Sequence, residues 1–411
     1  MAPARLKGGD LARALAPGGL TYVQGCSAES LLWLEELCRT PDAWGDMTFT
    51  GIFVPGLNHA NYLIGERCRT RTFFMTPELR RGGDRVDFLP LCYGDILRNL
   101  RTQPIAAALF KVTPPDDAGW CSFGPVVDFL AELWPRIPIR IAHIDASLPR
   151  TRGPRGIPFD ELTAVIEAPA GPLCVAGERA DPVAEAIARH VARQIPDGAT
   201  VQTGLGRVPA AVLQALRDHR NLRIHSGLIG DGVLALRQSG ALAAGAPVTA
   251  GVAIGSAALY AAISGPEFVF QPVSHTHAAE VIAGLDRFVA VNSALEVDLY
   301  GQAHSELTPA GLMSGPGGAT DFARGARLAA GLSIAALPSA AKGRTRIVPA
   351  GAGLGPVSMS RFDIDLVVTE HGVADLRGHG HSQRARALIA IADPGRRDDL
   401  ARSWSQTEAR L

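Results

Sequence analysis

The chain has 411 residues, 47% of them hydrophobic and 19% charged, the composition of a folded globular protein rather than a disordered one. This length exceeds one ordinary hydrophobic core, so two domains are expected. Forty Lys and Arg balance forty Asp and Glu for a net charge of zero. A surface built to gather nucleic acid or anionic lipid carries a basic excess, so neither partner is expected.

In chain order, buried strands are expected at Leu20 to Val23, Met47 to Val54, Ala106 to Val112 and Arg140 to Ile144, and later at Thr200 to Thr203, Phe288 to Val291, Ile334 to Ala336 and Leu366 to Thr369. Helical patterns run over Val183 to Ile195, Ala210 to Asp218 and Ala278 to Leu285. Buried runs alternating with helices imply an α/β fold, with mainly parallel sheets covered on both faces. Ala168 to Asp181 is rich in Pro and Gly and reads as a linker. Asp181-Pro182 then supplies a cap and a first-turn proline, which places a domain boundary at 181 and gives domains 1–181 and 182–411.

The opening residues Met1 to Asp10 lack the continuous apolar core of a secretory signal. Val248 to Ile263 is weakly apolar, shorter than the ~18 residues of a membrane helix, and reads as a buried helix. A cytoplasmic chain without membrane association is expected. The six cysteines, Cys26, Cys38, Cys68, Cys92, Cys121 and Cys174, form no C-x-x-C pair and have no histidine at zinc-finger spacing. Reduced thiols and no metal site are expected.

Four segments carry candidate chemistry. Gly204-Leu205-Gly206-Arg207-Val208 follows a strand and opens a helix. Its glycines let backbone N–H groups approach a ligand, and a helix N-terminus favours an anion. As a bare pattern an ordinary tight turn is the plainer reading, and the third glycine of a dinucleotide fingerprint is missing, which argues against a nicotinamide dehydrogenase. Ser314 to Phe322 places Gly315, Gly317 and Gly318 in one loop, which exposes backbone donors for an oxyanion or an amide, or is simply a flexible surface loop. Lys342 follows a strand and can reach a phosphate or remain solvated. Glu370 ends a hydrophobic strand, where α/β proteins place site residues, and can serve as base, acid or orienting group; a cap or a loop ion pair is the plainer reading.

Taken together, these segments resemble the acetyl-CoA hydrolase/transferase family, which includes 4-hydroxybutyrate CoA-transferase. The likeness runs through Gly25-Cys26-Ser27-Ala28-Glu29, Val112-Thr113-Pro114-Pro115-Asp116 with Cys121-Ser122, Asn292 to Gln302, Gly317-Gly318 with Asp321-Phe322, and Glu370 to Gly378. The resemblance implies two related open α/β domains of the CoA-transferase type, a homodimer, and coenzyme A thioesters as substrate with a small carboxylic acid or water as acceptor. It implies no cofactor beyond that substrate. By position, Gly204, Leu205, Gly206, Arg207 and Val208 would line the CoA site, Gly317, Gly318 and Lys342 would complete it, and Glu370 would lie near the acyl group. Family transferases carry a nucleophilic glutamate in a His-Ser-Glu-like stretch, and the corresponding run here is His225-Ser226-Gly227. Gly227 has no side chain with which to form the covalent intermediate. Asp231 or Glu370 would have to substitute, or water would be the acceptor with Glu370 or a histidine as base, or the chain would bind CoA without ordinary turnover. His277, in His275-Thr276-His277, is a further candidate to polarise the acyl carbonyl or activate water, against a structural role. His371, His379 and His381 read as a solvated loop.

Overall fold

The computed structural model describes residues 2–15, 17–175 and 181–411. The chain divides into two compact units. One takes Met1–Ala176, Thr249–His275 and Met313–Gly315; the other takes Gly177–Val248, Thr276–Leu312 and Pro316–Leu411. No single cut therefore separates them, because the chain leaves and re-enters the first unit twice.

The first unit holds a sheet of eight strands. They are β1 (Ala4–Arg5), β2 (Leu20–Val23), β3 (Thr48–Gly51), β4 (Arg69–Thr72), β5 (Val86–Phe88), β6 (Ile105–Val112), β7 (Ile139–Ile144) and β8 (Ala164–Glu167). Their order is β1-β8-β7-β6-β2-β3-β4-β5, and every neighbouring pair is parallel. From β2 the chain winds outward through β3, β4 and β5. It then returns to the other edge of β2 and continues through β6, β7 and β8.

The second unit repeats this winding. The strands of its eight-stranded main sheet include β9 (Thr200–Thr203), β10 (Arg223–Ile229), β11 (Phe288–Ser293), β12 (Leu332–Ala336), β13 (Leu366–Thr369) and β14 (Gly372–Asp375). β9 pairs in parallel with β10 on one side and with β11 on the other; β12 and β13 follow β11, also parallel, and β14 closes the edge as an antiparallel hairpin. The five parallel strands are largely buried, as runs such as Leu366-Val367-Val368-Thr369 require of strands covered on both faces. Helices α1 (Pro182–Ala192), α2 (Arg207–Ala215) and α3 (Ala319–Leu328) pack with this sheet. Asp181 caps α1 by accepting from the Ala184 N–H, with Pro182 in the first turn.

Two expectations are corrected here. Val248 to Ile263 is not one helix but the strand Val248–Ala253 followed by the helix Ala257–Ala262, with the Ser256 hydroxyl capping the latter. The β-branched start, Val-Thr-Ala-Gly-Val, favours the extended chain, and Ser256 restarts the backbone as a helix. The presumed linker is pinned over its first part. Gly171 N–H donates to Asp145, Leu173 N–H to the Ser27 carbonyl, and Tyr260 donates its hydroxyl to the Leu173 carbonyl. Residues 176–180 of that segment lie outside the described residues. The exposed His371 and His379 match the loop reading, whereas His381 opens the helix His381–Ala390.

All six cysteines are free thiols. Among the described residues no helix is long and apolar enough to cross a membrane, and no group of His, Cys, Asp and Glu could hold a metal ion. The first unit also buries Asp128 with both carboxylate oxygens lacking a protein partner. Desolvation, reinforced by Glu132, pushes its carboxyl well above the usual range.

Candidate active site

In the second unit the carboxyl ends of β9, β10, β11, β12 and β13 share one edge, because the five strands are parallel. The strand order reverses between β9 and β11, the position at which open α/β sheets bind ligands.

The turn after β9 is Gly204-Leu205-Gly206. Nothing would meet a Cβ at Gly204 within 4 Å, Leu205 is 39% exposed, and Gly206 has φ 115°, a conformation that glycine adopts readily. Gly206 is also the N-cap of α2, so the helix begins at Arg207, three residues before the apolar periodicity indicates. Pro209 fits the first turn, where a missing N–H costs nothing. Arg207 is tethered by its ion pair to Asp181 at 2.7 Å, and the Val208 side chain is buried.

Next to this turn stands Gly227. The Ser226 hydroxyl, in the middle of β10, donates to the carbonyl of Thr203, at 2.9 Å, which ties β10 to the end of β9. A Cβ built on Gly227 would lie 2.6 Å from Cε1 and 2.7 Å from Nε2 of His277. A Cβ on Gly318 would lie 2.5 Å from the same Nε2. The imidazole of His277 is thus wedged between two glycines, one in β10 and one at the N-cap of α3, with the Phe322 ring 4.6 Å away between centroids. His277 Nδ1 lies 2.9 Å from the Thr276 hydroxyl, and His225 Nε2 donates to the Thr276 carbonyl at 3.0 Å. Burial, with a smaller contribution from His225, lowers the His277 pKa to about 3, so the ring is neutral at physiological pH.

A second group lies at the ends of β12 and β13. The Glu370 carboxylate accepts from the Ser339 N–H at 2.9 Å and from the Ser339 hydroxyl at 2.7 Å. Ser339 leads into a tight hairpin, Ala340–Ala341 paired with Arg344–Thr345, whose two turn residues Lys342 and Gly343 both have positive φ. That is the backbone a two-residue hairpin turn demands, and it leaves Lys342 exposed. The structure therefore brings Gly227, His277 and Gly318 together, and joins Glu370 to the turn that carries Lys342.

Two residues escape motif reasoning. Gln202 of β9 and Asn292 of β11 are buried amides on strands flanking the reversal, 3.5 Å apart between Gln202 Nε2 and Asn292 Oδ1. Asn292 sits in the segment that carries the family resemblance, but its meaning depends on a neighbour ninety positions away.

The winding and this edge define a doubly wound α/β protein whose second sheet carries glycine turns and helix N-termini along its carboxyl edge. Residues 255–404 match the acetyl-CoA hydrolase/transferase C-terminal domain. The 4-hydroxybutyrate coenzyme A transferase of Clostridium kluyveri is 35% identical over 78% of each chain. An acetyl-CoA hydrolase of Kluyveromyces lactis is 26% identical over 61% of this chain and 51% of that one. RipA from Yersinia pestis superposes with a TM-score of 0.91, at 26% identity over 98% of each chain. The 4-hydroxybutyrate CoA-transferase from Porphyromonas gingivalis gives 0.82, at 29% identity over 99% of this chain and 98% of that one. This chain belongs to the acetyl-CoA hydrolase/transferase family.

Proposed function

We propose that this protein acts on acyl-CoA thioesters, transferring CoA between carboxylic acids or hydrolysing the thioester, by a route that forms no glutamyl-CoA intermediate on residue 227. The observation that carries the reading is the packing of the His277 ring against Gly227, at the carboxyl edge of a sheet whose neighbouring turn is open at Gly204. The position from which the family glutamate projects holds a neutral imidazole instead. We assign His277 the contact with the reacting acyl group, where a neutral ring polarises the carbonyl or takes a proton from water.

Gly204 to Val208 receive the diphosphate of CoA at the start of α2, and Gly317 and Gly318 donate backbone N–H groups at the start of α3. Lys342 pairs with a phosphate, and Glu370 orients the Lys342 turn through Ser339 rather than attacking the thioester. No metal or redox cofactor is invoked, and a cytoplasmic homodimer is part of the proposal. A second reading, a CoA-binding protein without ordinary turnover, is favoured by the same loss of the carboxylate at 227.

Thioester loss from a panel of acyl-CoAs, with and without acetate, followed by mass spectrometry, tests the reading. A new acyl-CoA that depends on acceptor establishes transfer, and free CoA without acceptor establishes hydrolysis. Binding without either establishes the second reading, and absence of CoA binding overturns both.

A further inference from the structure

Gln202 and Asn292 lie on the two strands between which the order of the second sheet reverses. In the β9–β11 register Gln202 stands opposite Ala290, so Asn292 is its diagonal neighbour on the same face. That face also carries His225 and Gly227, because the β9–β10 register of Val201 with Ile224 sets Gln202 opposite His225. The two amides are 3% and 6% exposed. One contact joins them, at 3.5 Å, and Gln202 Oε1 and Asn292 Nδ2 are buried without a partner. Exchanging O and N in both amides changes the labels and not the result: one bond joins the pair, leaving one acceptor and one donor unused. A buried polar atom without a partner is destabilising, and two on adjacent strands at the carboxyl edge of the sheet call for an explanation.

An acceptor and a donor side by side do not fit one trans amide, whose N–H and C=O point to opposite sides, but they do fit a flexible chain that presents the N–H of one amide and the C=O of the next. The pantetheine arm of CoA contains two such amides. We propose that Gln202 and Asn292 together recognise the two amides of the pantetheine arm, one side chain accepting the N–H of one amide and the other donating to the carbonyl of the next. This inference rests on the proposed acyl-CoA function and adds to it the residues that read the arm rather than the phosphates or the acyl group.

The test uses the full chain with the near-isosteric variants Gln202→Met and Asn292→Leu, and calorimetric binding of CoA, acetyl-CoA and adenosine 3′,5′-diphosphate, which lacks the arm. Melting temperature is read alongside. The expected result is a loss of roughly tenfold or more in affinity for CoA and acetyl-CoA alike, with adenosine 3′,5′-diphosphate unaffected and the melting temperature unchanged or raised. A lowered melting temperature with unchanged CoA affinity would overturn the inference in favour of a structural, water-filled pair. Equal losses for adenosine 3′,5′-diphosphate, or a loss confined to acetyl-CoA, would overturn it by moving the contact to the nucleotide or to the acyl group. If the unaltered protein binds adenosine 3′,5′-diphosphate but not CoA, the arm has no site here and the inference fails. If it binds none of the three ligands, the acyl-CoA reading itself fails.

Discussion

His277 occupies the space that any side chain at Gly227 would need: a Cβ at 227 would stand 2.6 Å from the ring. The two positions are fifty residues apart in the chain, yet each sets what the other can be. Gly227→Glu alone should therefore fail to create a working nucleophile and should cost about 1–3 kcal/mol from overpacking. Paired with His277→Asn, which shortens the wedge, the glutamate should be accommodated. Thermal melts of both variants, with mass spectrometry for a CoA adduct after incubation with acetyl-CoA, check this. An adduct on the single variant at wild-type stability would refute the steric coupling.

The neutral imidazole of His277 makes stability depend on acidity. Its pKa is about 3 in the folded chain and near ~6.5 when unfolded. Between these values the unfolded chain binds the additional proton, so this contribution to stability is full above the unfolded value and is lost as pH falls toward 3. His277→Asn should flatten the slope of unfolding free energy against pH over that window, as measured by urea titrations at a series of pH values. The same variant should lower acyl-CoA turnover by on the order of a hundredfold if His277 meets the acyl group.

Asp128 behaves in the opposite sense. Its buried carboxyl has a raised pKa, so its contribution is present below the unfolded value of about 3.9 and declines as pH rises past it. Asp128→Asn should raise the melting temperature at pH 7 and make little difference near pH 3. The residue has φ 30°, which asparagine tolerates well. A melting temperature lowered at pH 7 would show that the charged form is the one the fold uses.

Glu370 holds the Lys342 turn through two hydrogen bonds to Ser339. Glu370→Gln should weaken CoA binding by about 1–3 kcal/mol while sparing the maximal rate, and Ser339→Ala should move binding in the same direction. Steady-state kinetics separate the outcomes. A collapse of the maximal rate with KM unchanged would return Glu370 to the role of general base.

The parts of this molecule legible in its sequence are those set by local pattern. Runs such as Leu366 to Thr369 announce buried strands, and Gly204 to Val208 announces a strand–turn–helix with room for an anion. The lack of a carboxylate at Gly227 draws notice only because His225-Ser226-Gly227 resembles the family's glutamate-bearing stretch. What fills its place is not visible, since His277 reaches it only through the fold. The pairing of Gln202 with Asn292 is hidden for the same reason. Val248 to Ile263 is misread because alanine and glycine fit either structure, and tertiary packing decides between them. The pinned stretch before residue 176 looks like a linker because its hydrogen bonds come from Asp145, Ser27 and Tyr260, all distant in sequence.

The two sheets wind alike, yet the turns after the strands from which each winding starts, β2 and β9, have opposite characters. After β2 comes Gln24-Gly25-Cys26, where a Cβ on Gly25 would overlap the Ile52 carbonyl and residues 26 to 30 are all buried. After β9, Gly204 faces open space and Leu205 is exposed. One winding thus carries a packed turn in the first sheet and an open one in the second. Substitutions at Gly25 and Gly204 should accordingly be filtered by different demands, the first by whether the chain folds at all and the second by what it can hold. A survey of viable variants would find the first turn nearly invariant in size, while the second changes with the ligand.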